Sequence, residues 1–159
     1  MPVRAGRVTA VGDSVMLDAA PELENDIGLV EVDAAVSRQV ATGVSILIGR
    51  RAAGQLGSTV VVGLGTNGTF TTGQFDQIMQ ILTQARRVVF VNLKVPRSWQ
   101  DANNAVLATG VPRYKTARLV DWYAASAGKP VFFAPDGFHL RPEGAAAYAS
   151  LIAAAVNAS

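Results

Sequence analysis

The chain has 159 residues, of which half are hydrophobic and 16% are charged, so an intrinsically disordered protein is excluded and one domain is expected over 1–159. It has no cysteine, which excludes disulfides and thiolate metal sites. Its single histidine leaves too few ligands for a typical zinc site, and we predict neither a metal nor a cofactor. The net charge of +2 is too small to indicate binding to nucleic acid, and no apolar run reaches the roughly 18 residues of a membrane-spanning helix.

Short apolar runs rich in β-branched residues alternate with helical patterns along the chain. The runs predict strands at 7–11, 29–34, 59–64, 88–93 and 117–121. The stretches between and after them predict helices at 15–25, 42–53, 75–85, 101–108 and 142–156. This alternation predicts an α/β fold in which helices cover both faces of a parallel sheet.

Small and polar residues follow each of the first four predicted strands, and a similar group precedes the last helix. Ligands of such sheets bind beyond the carboxyl ends of the strands, so we expect these groups to form one site there. The groups are Gly12-Asp13-Ser14, Ser37-Arg38-Gln39, Gly65-Thr66-Asn67-Gly68, Pro96-Arg97-Ser98-Trp99 and Asp136-Gly137-Phe138-His139.

Ser14 and His139 are the residue types of a nucleophile and its general base. Serine is a weak nucleophile until a base removes its proton, and His139 is the only imidazole in the chain. Asp136 lies three residues earlier, a spacing that lets its carboxylate reach Nδ1 of the ring while Nε2 faces the serine. The pattern predicts a catalytic triad of Ser14, His139 and Asp136.

An acyl-transfer site also needs donors that stabilise the oxyanion of a tetrahedral intermediate. We predict that these are the backbone N–H groups of Ser14 and Ser37 and the side-chain amide of Asn67. Taken singly, each residue has an ordinary structural interpretation, because serine caps helices and asparagine and aspartate form turns. Their shared position after the strands favours the catalytic interpretation.

Five residues are candidates for binding the substrate: Arg38, Gln39, Gly65, Arg97 and Trp99. Trp99 either offers its ring to a sugar or fastens its loop to the core, and the sequence leaves both open. The run 63–68 matches a dinucleotide-binding pattern, but no helix opens within it and the next strand does not end in an acid. We therefore set a nucleotide site aside.

Three of the polar groups resemble sequence blocks of the SGNH (GDSL-type) hydrolase superfamily. Gly12-Asp13-Ser14 resembles the first block, Gly65-x-Asn67 the third and Asp136-x-x-His139 the last, and the resemblance covers about residues 7–156. It implies a three-layer α/β/α sandwich with a five-stranded parallel sheet in the order 2-1-3-4-5. It also implies that Asn67 lines the oxyanion hole.

Two departures from the superfamily pattern point to a subgroup. Ser37 stands where the second block usually has glycine, and Gly68 stands where the third block usually ends in aspartate. Together with Val95-Pro96-Arg97-x-Trp99 and Asp121-Trp122-Tyr123, the motifs resemble the extracytoplasmic SGNH domain of peptidoglycan O-acetyltransferases. In that family the domain usually follows a multi-helix acyltransferase-3 membrane domain.

The resemblance implies acyl transfer, chiefly of acetyl groups, to or from a cell-wall or surface glycan through an acyl-serine. The implied partners are an acyl donor, a glycan acceptor and a membrane acyltransferase domain in the same or a separate chain. It also implies an extracytoplasmic location, although the chain lacks a signal-peptide pattern, so we expect that a segment outside it directs export. A cytoplasmic location stays open, as do two other functions: a general esterase or lipase, and a non-catalytic glycan-binding module.

Overall fold

Five parallel strands form the centre of the computed structural model, which describes residues 2–159. The strands are β1 (Arg4–Gly12), β2 (Val30–Ala34), β3 (Gly57–Gly63), β4 (Arg87–Val91) and β5 (Ala117–Val120). The helices are α1 (Ser14–Asp18), α2 (Ala20–Ile27), α3 (Val40–Ala52), α4 (Thr72–Ile81), α5 (Gln100–Gly110), α6 (Trp122–Ser126) and α7 (Pro142–Asn157), with short 3-10 turns at Val111–Arg113 and Pro130–Phe132. The strand order β2-β1-β3-β4-β5 confirms the predicted fold class.

The central strands are continuous apolar runs because helices cover both of their faces. Along β3, side chains alternate between two apolar layers: Val60 and Val62 belong to one, and Val61 to the other. The first layer includes Leu47 of α3, and the second includes Ile152 of α7. The sheet is therefore the middle of three layers.

The predicted helix at 15–25 is wrong, because the structure has two helices there, α1 and α2, which meet at Ala19. Pro21 explains the break. Proline has no N–H to donate to the carbonyl of Leu17, four residues earlier, and its ring clashes with that carbonyl in a continuous helix. The short α1 is thereby separated from the longer α2.

The fifth strand ends one residue earlier than predicted, and the residues that follow it are helical. Asp121 caps α6 by accepting a hydrogen bond from the N–H of Ala124, 3.0 Å away, and Trp122 begins the helix with its ring buried. The predicted strand at 117–121 was therefore one residue too long at its carboxyl end.

The carboxyl ends of the strands place the predicted polar groups side by side. Gly12 at the end of β1 pairs with Ala34 of β2 on one side and with Gly63 of β3 on the other. The segments that follow these three strands begin at the same edge of the sheet. Among the described residues, no helix combines the length and apolar character needed to cross a bilayer.

Candidate active site

The side chains of Ser14, His139 and Asp136 form one hydrogen-bonded row at this edge. Nε2 of His139 lies 3.1 Å from Oγ of Ser14, and Nδ1 lies 2.5 Å from Oδ2 of Asp136. A neutral imidazole in this position can accept the hydroxyl proton on one side while it donates its N–H to the carboxylate on the other. Ser14 is buried, whereas the histidine and aspartate side chains are 36% and 39% exposed, so the row opens to solvent at its histidine end.

A tight turn ahead of α7 carries Asp136 and His139. Oδ1 of Asp136 accepts hydrogen bonds of 3.0 Å from the backbone N–H groups of Phe138 and His139. Burial raises the pKa of the Asp136 carboxyl, but the hydrogen bonds from the Phe138 N–H, the His139 ring and the His139 N–H together outweigh it and hold that pKa below its usual value. Asp136 is therefore an ionised acceptor that fixes the orientation of the imidazole.

The buried carboxylate of Asp13 sets the position of Ser14. Oδ1 of Asp13 accepts a hydrogen bond from the N–H of Val15, which caps α1, and Oδ2 accepts one from the N–H of Thr66. Burial raises the pKa of the Asp13 carboxyl in spite of these bonds. One side chain thus joins the start of α1, where Ser14 lies, to the loop that carries Asn67.

Ser37 has a left-handed backbone conformation, with φ of 60°, in the loop after β2. This conformation favours glycine, since an L side chain there meets the following carbonyl at a cost of about 1–2 kcal/mol. Within residues 2–159, the N–H of Ser37 donates to no backbone or side-chain acceptor. The neighbouring Arg38 is committed elsewhere: its Nη1 contacts the carbonyl of Asp33 at 2.6 Å and that of Gly12 at 3.3 Å.

Asn67 lies half-buried in the loop after β3, and its neighbours hold it there. Its side-chain Nδ2 donates to the backbone carbonyl of Arg38 at 3.2 Å, and its backbone carbonyl accepts from Nε2 of Gln39 at 3.0 Å. An amide nitrogen carries two hydrogens, so one remains for an oxyanion. Gly65 begins the loop with φ of 113°, where Leu93 and Asn103 crowd the space that a Cβ would occupy.

The loop after β4 brings Trp99 and Arg97 toward the same edge by different contacts. The indole N–H of Trp99 donates to the carbonyl of Thr66 at 3.1 Å, so its half-buried ring fastens this loop to the one that carries Asn67. Arg97 is exposed, and its guanidinium lies 5.5 Å from the ring centre of Phe138. The ring of Phe138 in turn lies 4.3 Å from that of His139.

Sequence reasoning missed two polar contacts that support the site. Oδ2 of Asp18 accepts a hydrogen bond of 3.0 Å from the N–H of Leu140, which joins α1 to the residue after His139. Asn92 donates to Asp121 at 2.8 Å and ties the end of β4 to the start of α6. Neither residue stands in one of the predicted groups, so only their position at the strand and helix ends could have indicated them.

Comparison with known proteins gives close relatives although no family model matches the chain. Peptidoglycan O-acetyltransferase OatA of Listeria monocytogenes is 36% identical over 151 residues, which cover 95% of this chain and 24% of that protein. The chain thus spans about a quarter of the length of the curated relatives that it matches.

Two solved structures share the fold. The C-terminal catalytic domain of peptidoglycan O-acetyltransferase A from Streptococcus pneumoniae, solved with a methylsulfonyl adduct, matches with a TM-score of 0.85 at 22% identity, over 96% of this chain and 93% of that one. A protein of Slackia heliotrinireducens assigned to the SGNH hydrolases matches with a TM-score of 0.78 at 17% identity, over 97% and 100%. At these identities the likeness establishes the three-layer architecture.

Proposed function

Since the chain is a homologue of the peptidoglycan O-acetyltransferases and has the fold of the SGNH hydrolases, we propose that it transfers an acetyl group to or from a wall glycan through an acyl-serine at Ser14. The observation that carries the proposal is the row in which one imidazole contacts both Ser14 Oγ and Asp136 Oδ2. A glycan-binding module has no need of this arrangement, because binding requires no activated hydroxyl.

In the first half of the reaction, Oγ of Ser14 attacks the acyl carbonyl while Nε2 of His139 takes the hydroxyl proton. The developing imidazolium is stabilised by the ionised Asp136. The oxyanion accepts hydrogen bonds from the backbone N–H groups of Ser14 and Ser37 and from the remaining side-chain amide hydrogen of Asn67. His139 then gives its proton to the leaving oxygen, the bond between that oxygen and the acyl carbon breaks, and an acyl-serine remains.

In the second half, His139 removes a proton from the acceptor hydroxyl, which attacks the acyl-serine. The same donors hold the second oxyanion. The proton returns to Oγ of Ser14 as the ester bond to the enzyme breaks, so the triad is regenerated and the acyl group leaves on the acceptor. No step requires a metal or a cofactor.

Hydrolysis is the second candidate function, and the exposure of the triad favours it. More than a third of the His139 and Asp136 side-chain surface is open to solvent, so water reaches the position from which an acceptor attacks. A transferase must bind its acceptor at a high effective concentration to compete with water. We propose that the glycan itself covers this opening and that the chain acts as an esterase when no glycan is bound.

The setting of the domain is also a proposal. The relatives named O-acetyltransferase are about four times as long as this chain. We propose that the chain works outside the cytoplasm together with a membrane acyltransferase domain, either joined to it or separate, that supplies the acyl group. A cytoplasmic esterase of the same fold would need no such supply.

Mass spectrometry of the intact protein after exposure to an activated acetyl ester tests the acyl-serine directly. The expected result is one added acetyl group, located on the peptide that contains Ser14. Ser14→Ala is the control: it should fold normally, gain no acetyl group and lose turnover by at least about 10⁴-fold.

Methylsulfonyl fluoride gives a second readout, since a related catalytic domain has been solved with a methylsulfonyl adduct. It should modify the wild-type chain at Ser14 alone. Acetylation that persists in folded Ser14→Ala protein would overturn the assignment of the nucleophile. An unmodified wild-type protein would favour the glycan-binding module.

A further inference from the structure

A groove with a volume of about 660 Å³ lies next to the turn that carries the proposed triad residues Asp136 and His139. Its size is that of a pocket for a small ligand or a short polymer segment. Ala134, Pro135 and Gly137, which flank Asp136, line it, although neither Ser14 nor His139 does. The groove is therefore distinct from the triad but shares one wall with it.

Three cationic side chains line this groove: Lys94 after β4, Lys129 before the second 3-10 turn, and Arg141 beside α7. The only acid among the lining residues is Glu143, so the groove has a net positive charge. Within residues 2–159, none of the three cations has a carboxylate within 4.0 Å. By contrast, the arginines beside Glu31 and Asp33 on the far side of β1 are all paired.

The three cations are positioned by uncharged partners, which leaves their charges for a ligand. Nζ of Lys94 lies 5.0 Å from the ring centre of Tyr123, and Nζ of Lys129 lies 5.7 Å from that of Phe132. Nε of Arg141 donates to the carbonyl of Phe133 at 2.8 Å, which leaves both terminal nitrogens of the guanidinium to bind an anion. A ligand would thus meet cations whose orientation is already restricted.

Apolar side chains occupy the space between these charges. Val131 is 56% exposed although it is a large hydrophobic residue, and the lining also includes Pro130, Pro135 and Phe133. A compact inorganic anion would gain little from such surface, whereas an organic ligand would bury it. The combination fits an organic ligand that carries separate carboxylates.

We infer that this groove is a subsite for the carboxylates of the acceptor, and that it holds a carboxylated wall glycan with its acceptor hydroxyl beside His139. The inference rests on the proposed acyl transfer to such a glycan. It adds the part of the acceptor that this groove contacts, because a neutral glycan of the same length lacks the groups that the cations bind. Charge recognition at an exposed groove gives modest affinity per contact, so the three cations act together.

Binding is measured on the Ser14→Ala protein, so that the result does not depend on turnover. The probes are a soluble peptidoglycan oligomer with free carboxylates and the same oligomer with its carboxylates converted to methylamides. The carboxylated oligomer should bind about tenfold more tightly. Lys129→Gln should weaken its binding by about two- to five-fold, and the double variant Lys94→Gln/Lys129→Gln should remove most of the preference.

Lys115→Gln is the matched control, since Lys115 is exposed and lies before β5, at the opposite edge of the sheet. It should bind both oligomers as the parent protein does. Equal binding of the two oligomers, or a preference that survives the double variant, would overturn the subsite. Tighter binding of a poly(glycerol phosphate) than of the carboxylated oligomer would also overturn it.

Hydrolysis of a small neutral acetyl ester by the lysine variants, made in the chain with Ser14 intact, separates this inference from the proposed function. That rate should be unchanged, because neither lysine contacts the triad. If the wild-type chain forms no acyl-serine but still prefers the carboxylated oligomer, the catalytic proposal fails and the subsite stands. If catalysis is intact and the preference is absent, the subsite fails alone.

Discussion

Asp18 accepts a hydrogen bond of 3.0 Å from the backbone N–H of Leu140, and this contact joins the helix of the proposed nucleophile to the segment of its proposed base. The two residues are 122 positions apart in the sequence. Because Ser14 begins α1 and Asp18 ends it, a shift of either segment changes the distance between Ser14 Oγ and His139 Nε2. We therefore expect Asp18 to act as a positioning residue for the proposed triad.

Asp18→Ala should lower kcat for acetyl-ester hydrolysis by about five-fold, the effect of losing roughly 1 kcal/mol from one neutral donor's hydrogen bond. Asp18→Asn keeps an oxygen that can accept from the Leu140 N–H, so it should recover most of the rate. The pH profile should keep its shape in both variants. A loss of stability without a change in kcat would mean that the contact only supports the fold.

Ser37→Gly should keep catalytic activity and leave the free energy of unfolding within about 1 kcal/mol of the parent value. Glycine keeps the backbone N–H and relieves the strain of φ at 60°, while its greater freedom in the unfolded chain offsets part of that gain. Chemical denaturation and hydrolysis rates measure the two quantities.

Ser37→Val is the contrasting variant, because a β-branched side chain tolerates the left-handed conformation poorly. It should destabilise the protein relative to the parent and shift the N–H away from the oxyanion, which lowers kcat. If Ser37→Gly instead lost activity while Ser37→Val kept it, the serine side chain rather than its N–H would be the functional group.

Asn67→Ala should lower kcat by about 10²–10³-fold, the usual cost of removing one oxyanion donor, with little change in KM. Steady-state hydrolysis of an acetyl ester gives both constants. The substitution also removes the bond from Asn67 to the carbonyl of Arg38, so it changes the loop as well as the donor set.

Gln39→Ala separates these two effects. It removes the other contact that holds the loop, the hydrogen bond from Gln39 Nε2 to the backbone carbonyl of Asn67. It leaves the side-chain amide of Asn67 in place. Its kcat should fall by less than about tenfold. Comparable losses in the two variants would assign the effect to the position of the loop.

Activity should decline on acidification before the fold does. The proposed general base must be neutral to accept the proton of Ser14, so kcat/KM should be lower in acid, where less of it is neutral. The pKa of Asp136 is lowered in the folded state. Its contribution to stability is therefore complete above the unfolded value of about 3.9 and disappears only as the pH falls through the lower folded value.

The measurements are kcat/KM and the thermal midpoint over the same pH range. Asp136→Asn tests the assignment further, because an amide cannot stabilise an imidazolium; its kcat should fall steeply at every pH while the fold persists. If activity and the thermal midpoint declined together, the acid limb would report unfolding rather than protonation of His139.

Features of the fold and the site could be predicted from the sequence where they depend on neighbouring residues in the chain. The β-branched runs located all five strands, and the polar groups after them predicted which residues meet at the sheet edge. The break at Ala19 was missed, because an apolar helical pattern continues through Pro21 and conceals it. The contact between Asp18 and Leu140 had no sequence signal, since it requires knowing how two distant segments pack.

The candidate substrate residues show the same limit. Arg38 is a residue type that often binds anions. The structure instead places its guanidinium against the backbone carbonyls of Asp33 and Gly12, and only 11% of its side chain is exposed. The basic groove was missed because Lys94, Lys129 and Arg141 are scattered along the chain and follow no motif. Residues that are brought together only by the fold have no characteristic spacing in the sequence, so sequence patterns cannot identify such a cluster.

Trp99 links its own loop, after β4, to the loop of the proposed oxyanion donor Asn67. Its indole N–H donates to the carbonyl of Thr66, the residue before Asn67, and its ring is half-buried. Trp99→Phe removes this hydrogen bond and keeps most of the aromatic face, whereas Trp99→Ala removes both. The pair of variants therefore separates a ring that binds sugar from an anchor that holds the loop.

We predict that Trp99→Ala reduces acetyl transfer to a peptidoglycan oligomer more than it reduces hydrolysis, while Trp99→Phe keeps the ratio of transfer to hydrolysis near the parent value. The reason is that water needs no binding surface, whereas the acceptor hydroxyl competes with water only while the glycan is held in place. Acetylated oligomer and free acetate, measured in the same reaction with a chromogenic acetyl ester as donor, give the ratio directly. Equal losses of both products in both variants would make Trp99 a structural anchor, since a displaced Asn67 slows formation of the acyl-serine on which both outcomes depend.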